Sequence, residues 1–258
     1  MASSPVKPLP SELEIQRGLA LGEFRAWYQP KFVMHTGQLA GVEALVRWEH
    51  PARGVLLPED FLAAVLAYDL IDDMFKQLLE QGLSLLGVLR RQALQLQLAF
   101  NLHASQLQGD TLVAHIQWAL GRHGFSGSSL VFELAENGLL NSSPSIQENL
   151  LRLRMLGCGL AIDDFGDGFS SLKLLCQLPF NQLKLDGEFV LRNPAVIGCT
   201  VALTKFLGMN LVIEGVSNPR IRDGVLAMGC ELGQGFYLAR PMSAYRLLPW
   251  LEAHVAEG

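Results

Sequence analysis

The chain has 258 residues, half of them hydrophobic, and a formal net charge of -5. This length and apolar content predict one large globular domain, with two small domains as the alternative. The mildly acidic composition has no block of Lys and Arg, which argues against a protein that binds nucleic-acid polymers or anionic membrane surfaces. An anionic ligand would therefore need metal ions as partners.

The cysteines and the apolar segments narrow the class of protein further. Cys158, Cys176, Cys199 and Cys230 are scattered in apolar contexts without C-x-x-C spacing, which predicts reduced core thiols rather than disulfides or a zinc site. No segment is apolar over a length that spans a bilayer, and Met1–Pro10 lacks the apolar core of a signal peptide. We therefore expect a cytoplasmic protein without membrane insertion.

The first third of the chain contains helices and two strands. A short amphipathic helix is predicted over Ser11–Gly22. Proline and glycine separate the predicted strands Phe24–Tyr28 and Leu39–Trp48. Pro58 opens a helix, and apolar periodicity predicts another over Ile71–Leu89.

The remaining chain alternates strands with helices. The predicted strands are Leu96–Leu102, Leu130–Leu134, Leu160–Asp163, Gln182–Leu185, Leu211–Glu214 and Leu232–Phe236. The predicted helices are Thr111–Gly121, Ser145–Leu156, Ser171–Leu175, Ala195–Leu207, Pro219–Met228 and Ala244–His254. Eight strands in such alternation predict a single α/β domain, a TIM-like (β/α)₈ barrel with its active site at the carboxyl ends of the strands. We assign residues 22–258 to the barrel and residues 1–21 to an extension and lead-in helix.

Two adjacent carboxylates, Asp163 and Asp164, stand at the end of an apolar run. Neighbouring strand residues point to opposite faces, so the two acids can share a site only if the backbone turns, which Gly166 and Gly168 permit. Like charges this close repel unless a cation sits between them, so a divalent metal is the natural partner. The alternative is a solvated turn with an Asx-type hydrogen bond.

Polar side chains occur within or at the end of each predicted strand from the second to the eighth. They are Glu43, Asn101, Glu133, Asp163, Lys184, Glu214 and Gln234. Any one of them could be a core polar group with a partner, or half of a structural salt bridge. Because the carboxyl ends of the strands meet at one rim, the whole set, with four carboxylates and an amide, is better explained as a cage for Mg²⁺ or Mn²⁺.

The motifs around these residues occur in a recognisable order. They are Tyr28-Gln29-Pro30-Lys31, Glu43-Ala44-Leu45 with Arg47-Trp48, Asn101-Leu102, Glu133-Leu134-Ala135-Glu136, Asp163-Asp164-Phe165-Gly166, Leu183-Lys184-Leu185-Asp186, Glu214-Gly215-Val216 and Gln234-Gly235-Phe236. From about Gly22 to the C-terminus, the chain resembles the EAL-domain cyclic di-GMP phosphodiesterases. The resemblance is closest to the EAL output domains of response regulators.

The resemblance implies hydrolysis of one phosphodiester of cyclic di-GMP to linear pGpG, with two Mg²⁺ or Mn²⁺ ions. The implied metal ligands are Glu43, Asn101, Glu133, Asp163, Asp164 and Glu214. Asp163 would bridge the two ions. The implied catalytic residues are Lys184, Glu214 and Gln234, and whether Lys184 or Glu214 is the base stays open.

The same resemblance assigns residues outside the metal cage. Gln29, Leu45 and Arg47 match positions that contact the nucleotide, and Glu136 matches an acid that anchors the loop from Phe165 to Ser171. A homodimer, and an upstream receiver or sensor domain that is absent from this chain, are further expectations.

The chain departs from the family pattern at Asp167, where Thr is usual, and at Ser217, where Glu is usual. These departures predict a slow enzyme. Two rival interpretations stand beside it: a weak or inactive EAL domain that acts as a cyclic di-GMP receptor, and a barrel enzyme of the enolase type.

Overall fold

The computed structural model describes residues 9–139, 142–163, 165 and 175–256. The strands are β1 Phe24–Val33, β2 Gln38–His50, β3 Gly54–Leu56, β4 Leu98–Asn101, β5 Leu130–Ala135, β6 Gly159–Asp163, β7 Gln182–Asp186, β8 Asn210–Glu214, β9 Leu232–Gly233 and β10 Met242–Ser243. The α-helices are Glu12–Ala20, Pro58–Ala67, Ile71–Arg91, Thr111–His123, Glu136–Leu139, Pro144–Met155, Gly187–Arg192, Pro194–Leu207, Pro219–Ala227 and Ala244–Ala256. Two 3₁₀ turns span Ala104–Leu107 and Gly127–Ser129.

Eight of these strands close into a ring. The ring runs β1, β2, β4, β5, β6, β7, β8 and β9, and β9 pairs again with β1. From β2 to β9 each neighbouring pair is parallel, so the carboxyl ends of seven strands meet at one rim. The short strands β3 and β10 extend the sheet beside β2 and β1. The predicted (β/α)₈ barrel is therefore confirmed.

The first strand differs from the regular repeat that the sequence predicts. β1 is antiparallel to both of its barrel neighbours, because it joins β2 through a hairpin instead of a crossover helix. In the turn, Gly37 has a positive φ of 73° and its N–H donates to the Val33 carbonyl at 2.9 Å. The hairpin register places Gln29 directly opposite Glu43.

The main apolar core lies between the barrel and its helices. The helix Ile71–Arg91 lies so close to β4 that a Cβ on Gly82 would come within 2.5 Å of Phe100 Cζ and 2.6 Å of Leu98 Cδ2. Inside the barrel, by contrast, small residues form a separate buried cluster of Ala99, Val131 and Ala161. The polar side chains Asn101, Glu133 and Asp163 each stand two residues after a member of this cluster and therefore lie above it, toward the rim.

Some predicted boundaries differ from the observed ones. The last barrel strand, predicted over Leu232–Phe236, is only two residues long as β9. The helix predicted over Ser171–Leu175 falls mostly on residues outside the described part of the chain and stays a prediction. Among the described helices, none has the length and apolar character needed to cross a membrane.

The expectation of four core thiols is wrong for two of them. Cys158 and Cys230 are buried, whereas Cys176 and Cys199 are exposed. Cys199 lies in the apolar helix Pro194–Leu207, where Ala195, Gly198 and Ala202 are exposed as well. Periodicity cannot identify the buried face of a helix when apolar residues occupy both faces.

We expect two of the four thiols to react rapidly with Ellman's reagent in the native protein at pH 8. Burial raises the pKa of Cys158 and of Cys230 to about 11, so these thiols are protonated and shielded. In denaturant all four should react. Loss of a fast-reacting thiol in Cys158→Ser, with no such loss in Cys199→Ser, would contradict this assignment.

Candidate active site

Strand alternation places a layer of polar side chains inside the upper half of the barrel. Gln29 on β1 is in register with Glu43 on β2, and Asn101 on β4 is in register with Glu133 on β5. These side chains share one cavity with polar groups from the later strands: Asp163, Lys184, Glu214 and Gln234. The structure therefore brings together the seven strand-end residues that the sequence singled out.

The Lys184 ammonium occupies the centre of this layer. It forms a short ion pair with Glu133 Oε2 and lies 2.5 Å from Glu214 Oε1. Its distances to Asp163 Oδ1 and Glu43 Oε2 are 3.4 Å and 3.8 Å. One cation thus contacts all four acids, and its side chain is only 1% exposed.

Amide side chains hold the Glu43 carboxylate from both sides. Asn101 Nδ2 donates to Glu43 Oε1 at 2.7 Å, and Gln234 Nε2 donates to Glu43 Oε2 at 2.7 Å. Gln234 Nε2 also lies 3.0 Å from Gln29 Oε1, and Gln29 Nε2 donates to the Ala239 carbonyl at 3.0 Å. This chain of hydrogen bonds fixes the orientation of Glu43 before any ligand binds.

A second buried lysine lies on the other side of Glu133. Lys31, on β1, places its Nζ 3.5 Å from Glu133 Oε1, while Lys184 contacts Oε2. Lys31 is 5% exposed and Glu133 is 1% exposed, so this pair is removed from water. When all four acids are ionised, the two lysines leave an excess of negative charge in the layer, and a divalent cation would offset it.

The pKa values of the two buried acids Glu133 and Glu43 are shifted in opposite directions. Loss of water raises the pKa of Glu133 to about 7, and repulsion from Glu43 adds to the shift despite the two lysines. Burial alone would also raise the pKa of Glu43, but the charges of Lys184 and Lys31 and the amide hydrogen bonds outweigh it, so that pKa is lowered. The two neighbouring acids therefore differ in their affinity for a proton.

The donor set suits a hard divalent cation. Glu43, Glu133 and Glu214 each present a carboxylate oxygen, and these three atoms lie within 4.8 Å of one another. Side-chain exposure rises from 0% at Glu133 to 18% at Asp163 and 26% at Glu214, so the group is closed on one side and open on the other. Oxygen ligands with one open side are typical of Mg²⁺ and Mn²⁺ sites that act on phosphates.

The cavity above the acids has a volume of about 720 Å³. One side is polar and consists of the carboxylate layer. The other side is apolar and comes mainly from the helices Pro58–Ala67 and Ile71–Arg91, with Leu62, Leu66 and Met74 in its lining. Such a cavity suits a ligand with charged and flat apolar parts.

The other predicted site residues differ from one another in whether they line the cavity. Leu45 lines the cavity, whereas Arg47 donates to the Val46 carbonyl at 2.8 Å and is not among the described residues that line it. Glu136 is 2% exposed and follows β5 directly. Asp164 and most of the loop that Glu136 is predicted to anchor lie outside the described residues, so these two assignments stay predictions.

Sequence reasoning missed two residues of the site, Lys31 and His103. Both stand two positions from a predicted site residue, Gln29 and Asn101 respectively, and so share the same face of the strand or its extension. The two-residue spacing could have identified both residues. It is informative only if one knows that both chain segments run along the barrel interior.

We expect the stability of the metal-free protein to fall as the pH rises from about 4.5 to 7, because burial raises the pKa of Glu133 and also that of Glu214. The raised pKa means that the folded state binds the Glu133 proton more tightly than the unfolded state, whose value is 4.5. The contribution of Glu133 to the loss of unfolding free energy is on the order of 3 kcal/mol.

Urea unfolding in EDTA at several pH values measures this dependence. The parent should lose stability relative to Glu133→Gln over this interval, while Glu148→Gln, on an exposed helix face, should follow the parent. Parallel curves for the parent and Glu133→Gln would show that Glu133 is ionised in the folded protein throughout.

Comparison with known proteins identifies the family of this chain. Residues 12–241 match the EAL domain family. The chain is 45% identical over 251 residues to the cyclic di-GMP phosphodiesterase RocR of Pseudomonas aeruginosa. This match covers 95% of this chain and 64% of RocR. It is 33% identical over 242 residues to the bifunctional diguanylate cyclase/cyclic di-GMP phosphodiesterase MucR of the same organism, with 91% of this chain and 35% of MucR covered.

A solved structure agrees with this relationship. PaMucR phosphodiesterase in its c-di-GMP complex superimposes with a TM-score of 0.86 at 32% identity, covering 92% of this chain and 98% of that one. The chain spans less than two thirds of the length of RocR and about a third of MucR. The match over nearly all of the barrel shows that this chain belongs to the EAL domain family.

Proposed function

We propose that this chain is a metal-dependent phosphodiesterase that hydrolyses cyclic di-GMP to linear pGpG. The observation that carries the proposal is the group of four barrel acids around Lys184, at the base of a cavity large enough for a dinucleotide. The 45% identity to RocR supports the same activity.

The acids and Asn101 would hold two Mg²⁺ or Mn²⁺ ions. Glu43, Asn101, Glu133 and Asp163 would hold one ion; Asp163 would share the second with Glu214 and Asp164. When bound, such ions make water more acidic and offset charge on a reacting phosphate. The hydrogen bonds that already fix Glu43 mean that little reorganisation is needed on this side of the cage.

Lys184 and Gln234 act on the water and on the phosphate. The Lys184 cation would orient the attacking water or offset charge on the pentacoordinate phosphorus, and Glu214, the most exposed acid of the three-glutamate group, faces the open side. The Oε1 atom of Gln234 is buried and lacks a hydrogen-bond partner among the described residues. It can therefore accept a hydrogen bond from a water or from the substrate.

Apolar, amide and guanidinium side chains in and near the cavity would bind different parts of the substrate. Leu45 and the helix Pro58–Ala67 would contact a base, while Gln29 acts through its hydrogen bond with Gln234. Arg47 lies beyond Leu45 on the same face of β2, from which its guanidinium would reach a phosphate by leaving the Val46 carbonyl.

Two departures from the family pattern keep the expectation of a slow enzyme in place. Ser217 is exposed and lines the cavity, where its Oγ accepts from Asn218 Nδ2 at 3.2 Å. A hydroxyl here offers neither the charge nor the reach of a carboxylate. Asp167 lies outside the described residues, so its effect on the loop stays a prediction.

A homodimer and an upstream receiver or sensor domain also stay proposals. The helix Pro194–Leu207 supports pairing of two chains, because Ala195, Ala202 and Phe206 are exposed on it and the Phe206 side chain is 86% exposed. The 64% coverage of RocR is compatible with a further domain.

The activity is tested by incubating the chain with cyclic di-GMP and Mg²⁺ and separating the products by chromatography. Accumulation of pGpG supports the phosphodiesterase. Binding in Ca²⁺ without turnover in Mg²⁺ or Mn²⁺ would instead favour the receptor function, and neither binding nor turnover would contradict both.

Glu43→Ala should abolish turnover while leaving the fold intact. The substitution removes a hard ligand and leaves the amides of Asn101 and Gln234 without their shared acceptor. We expect a loss of kcat of at least about 100-fold, corresponding to roughly 3 kcal/mol of transition-state stabilisation. Circular dichroism checks the fold, and pGpG formation at the parent rate in a folded variant would refute the assignment.

Lys184→Met should lower kcat much more than it weakens binding of cyclic di-GMP in Ca²⁺. A cation that acts on the water or on the phosphorus is needed mainly in the transition state. The exposed residue Lys205 offers a matched control, since Lys205→Met removes the same charge from the barrel surface. A lower affinity with unchanged kcat would make Lys184 a phosphate-binding residue instead.

A further inference from the structure

His103 occupies the rim of the cavity directly after β4. It stands two residues beyond Asn101, is exposed, and lines the same cavity as the carboxylates. It is also the N-cap residue of the 3₁₀ turn Ala104–Leu107. The imidazole is therefore held at a fixed position on the edge of the proposed active site.

Hydrogen bonds determine which ring nitrogen of His103 carries the proton. The Ser105 N–H donates to His103 Nδ1 at 3.3 Å, and the Ser105 hydroxyl lies 2.7 Å from the same atom. Because Nδ1 accepts a hydrogen bond from the backbone, the neutral ring carries its proton on Nε2.

The backbone of this segment is fixed as well. The His103 N–H donates to Gln106 Oε1 at 3.0 Å, and Gln106 Nε2 donates to Asp72 Oδ1 at 2.9 Å. Asp72 lies in the first turn of the helix Ile71–Arg91. One hydrogen bond within the segment and one to the long helix therefore hold the backbone that carries the imidazole.

The other side-chain nitrogens of the cavity are already occupied. Among the described residues that line it, partners are present for the nitrogens of Gln29, Asn101, Gln106, Lys184 and Gln234. His103 Nε2 is the one cavity-lining side-chain nitrogen in the described part of the chain without a partner. A cavity that is rich in acids thus keeps the His103 Nε2 nitrogen available to a ligand.

We infer that His103 is a substrate-binding residue whose Nε2–H donates a hydrogen bond to a non-bridging phosphate oxygen of the cyclic dinucleotide. The inference rests on the proposed function and adds a residue to it. The substrate carries two anionic phosphates, and the reacting one is bound over the carboxylate layer. A donor on the rim suits the other phosphate, because a hydrogen bond to a charged acceptor is stronger than one to a neutral acceptor.

The test compares His103→Leu, which removes the donor, with His103→Gln, which returns an N–H at a similar reach. Calorimetric titration of cyclic di-GMP in Ca²⁺ should show an affinity loss of roughly tenfold or more for His103→Leu and recovery of most of it for His103→Gln. KM should rise in parallel, with kcat changed much less. His35→Leu, on the exposed hairpin turn outside the cavity lining, is the matched control and should bind like the parent.

The two symmetric diastereomers of a bis-phosphorothioate analogue identify the acceptor, because an analogue with sulfur on both phosphates cannot present an unmodified phosphate to His103. Sulfur accepts hydrogen bonds weakly, so the affinity loss from His103→Leu should shrink for one diastereomer of the analogue. A loss that stays unchanged for both diastereomers overturns the assignment to phosphate. Affinities for cyclic di-GMP within twofold of the parent in His103→Leu, or equal losses in both His103 variants, overturn the role of the donor.

The parent separates this inference from the proposed function. If the parent binds and cleaves cyclic di-GMP while His103→Leu behaves like it, only the role of His103 fails. If the parent neither binds nor cleaves cyclic di-GMP, the proposed function fails and the role of His103 fails with it.

Discussion

The ion pairs between Lys184 and the barrel acids are the interaction on which the rest of the site depends. Glu43 and Glu133 are almost completely removed from water, and a carboxylate in that position is tolerated only with a partner. Removal of one partner from a buried pair typically costs about 3 to 5 kcal/mol, because the remaining charge is left uncompensated. Lys31 adds a second cation below Glu133. The polar layer is therefore a single electrostatic unit, and a substitution of one member changes the pKa of the others.

Much of this unit could be predicted from the sequence, because strand periodicity carries the information. A polar residue in an apolar strand must face either solvent or a polar interior, and seven such residues in successive strands specify a common rim. Gln234 belongs to the set even though its strand ends at Gly233, since its N–H donates to the Ile213 carbonyl and its carbonyl accepts from Val216 N–H. These backbone hydrogen bonds hold Gln234 where the next residue of the strand would lie, although β9 itself ends one residue earlier.

The features that could not be predicted depend on the direction of a strand, on a hydrogen-bond partner and on the packing of a helix face. Lys31 lies below Glu133 because β1 runs opposite to the other barrel strands, and a hairpin turn does not reveal in advance which way its first strand enters a barrel. The orientation of His103 depends on Ser105, and no residue pattern shows that one nitrogen is used and the other is free. The exposure of Cys199 follows from which face of an apolar helix packs on the barrel, which composition leaves undetermined.

The closure of the ring by an antiparallel first strand also affects how the protein folds. The hydrogen bond between Gln29 and Gln234 joins residues 205 positions apart in the chain, and β1 must pair with β9 before it can form. Contacts of such separation form late, because loop closure costs entropy that local contacts do not. During synthesis, the acids on β2, β4, β5 and β6 emerge well before the amide that completes their hydrogen-bond network. A nascent barrel therefore carries a cluster of like charges whose full set of partners arrives only with the last strand.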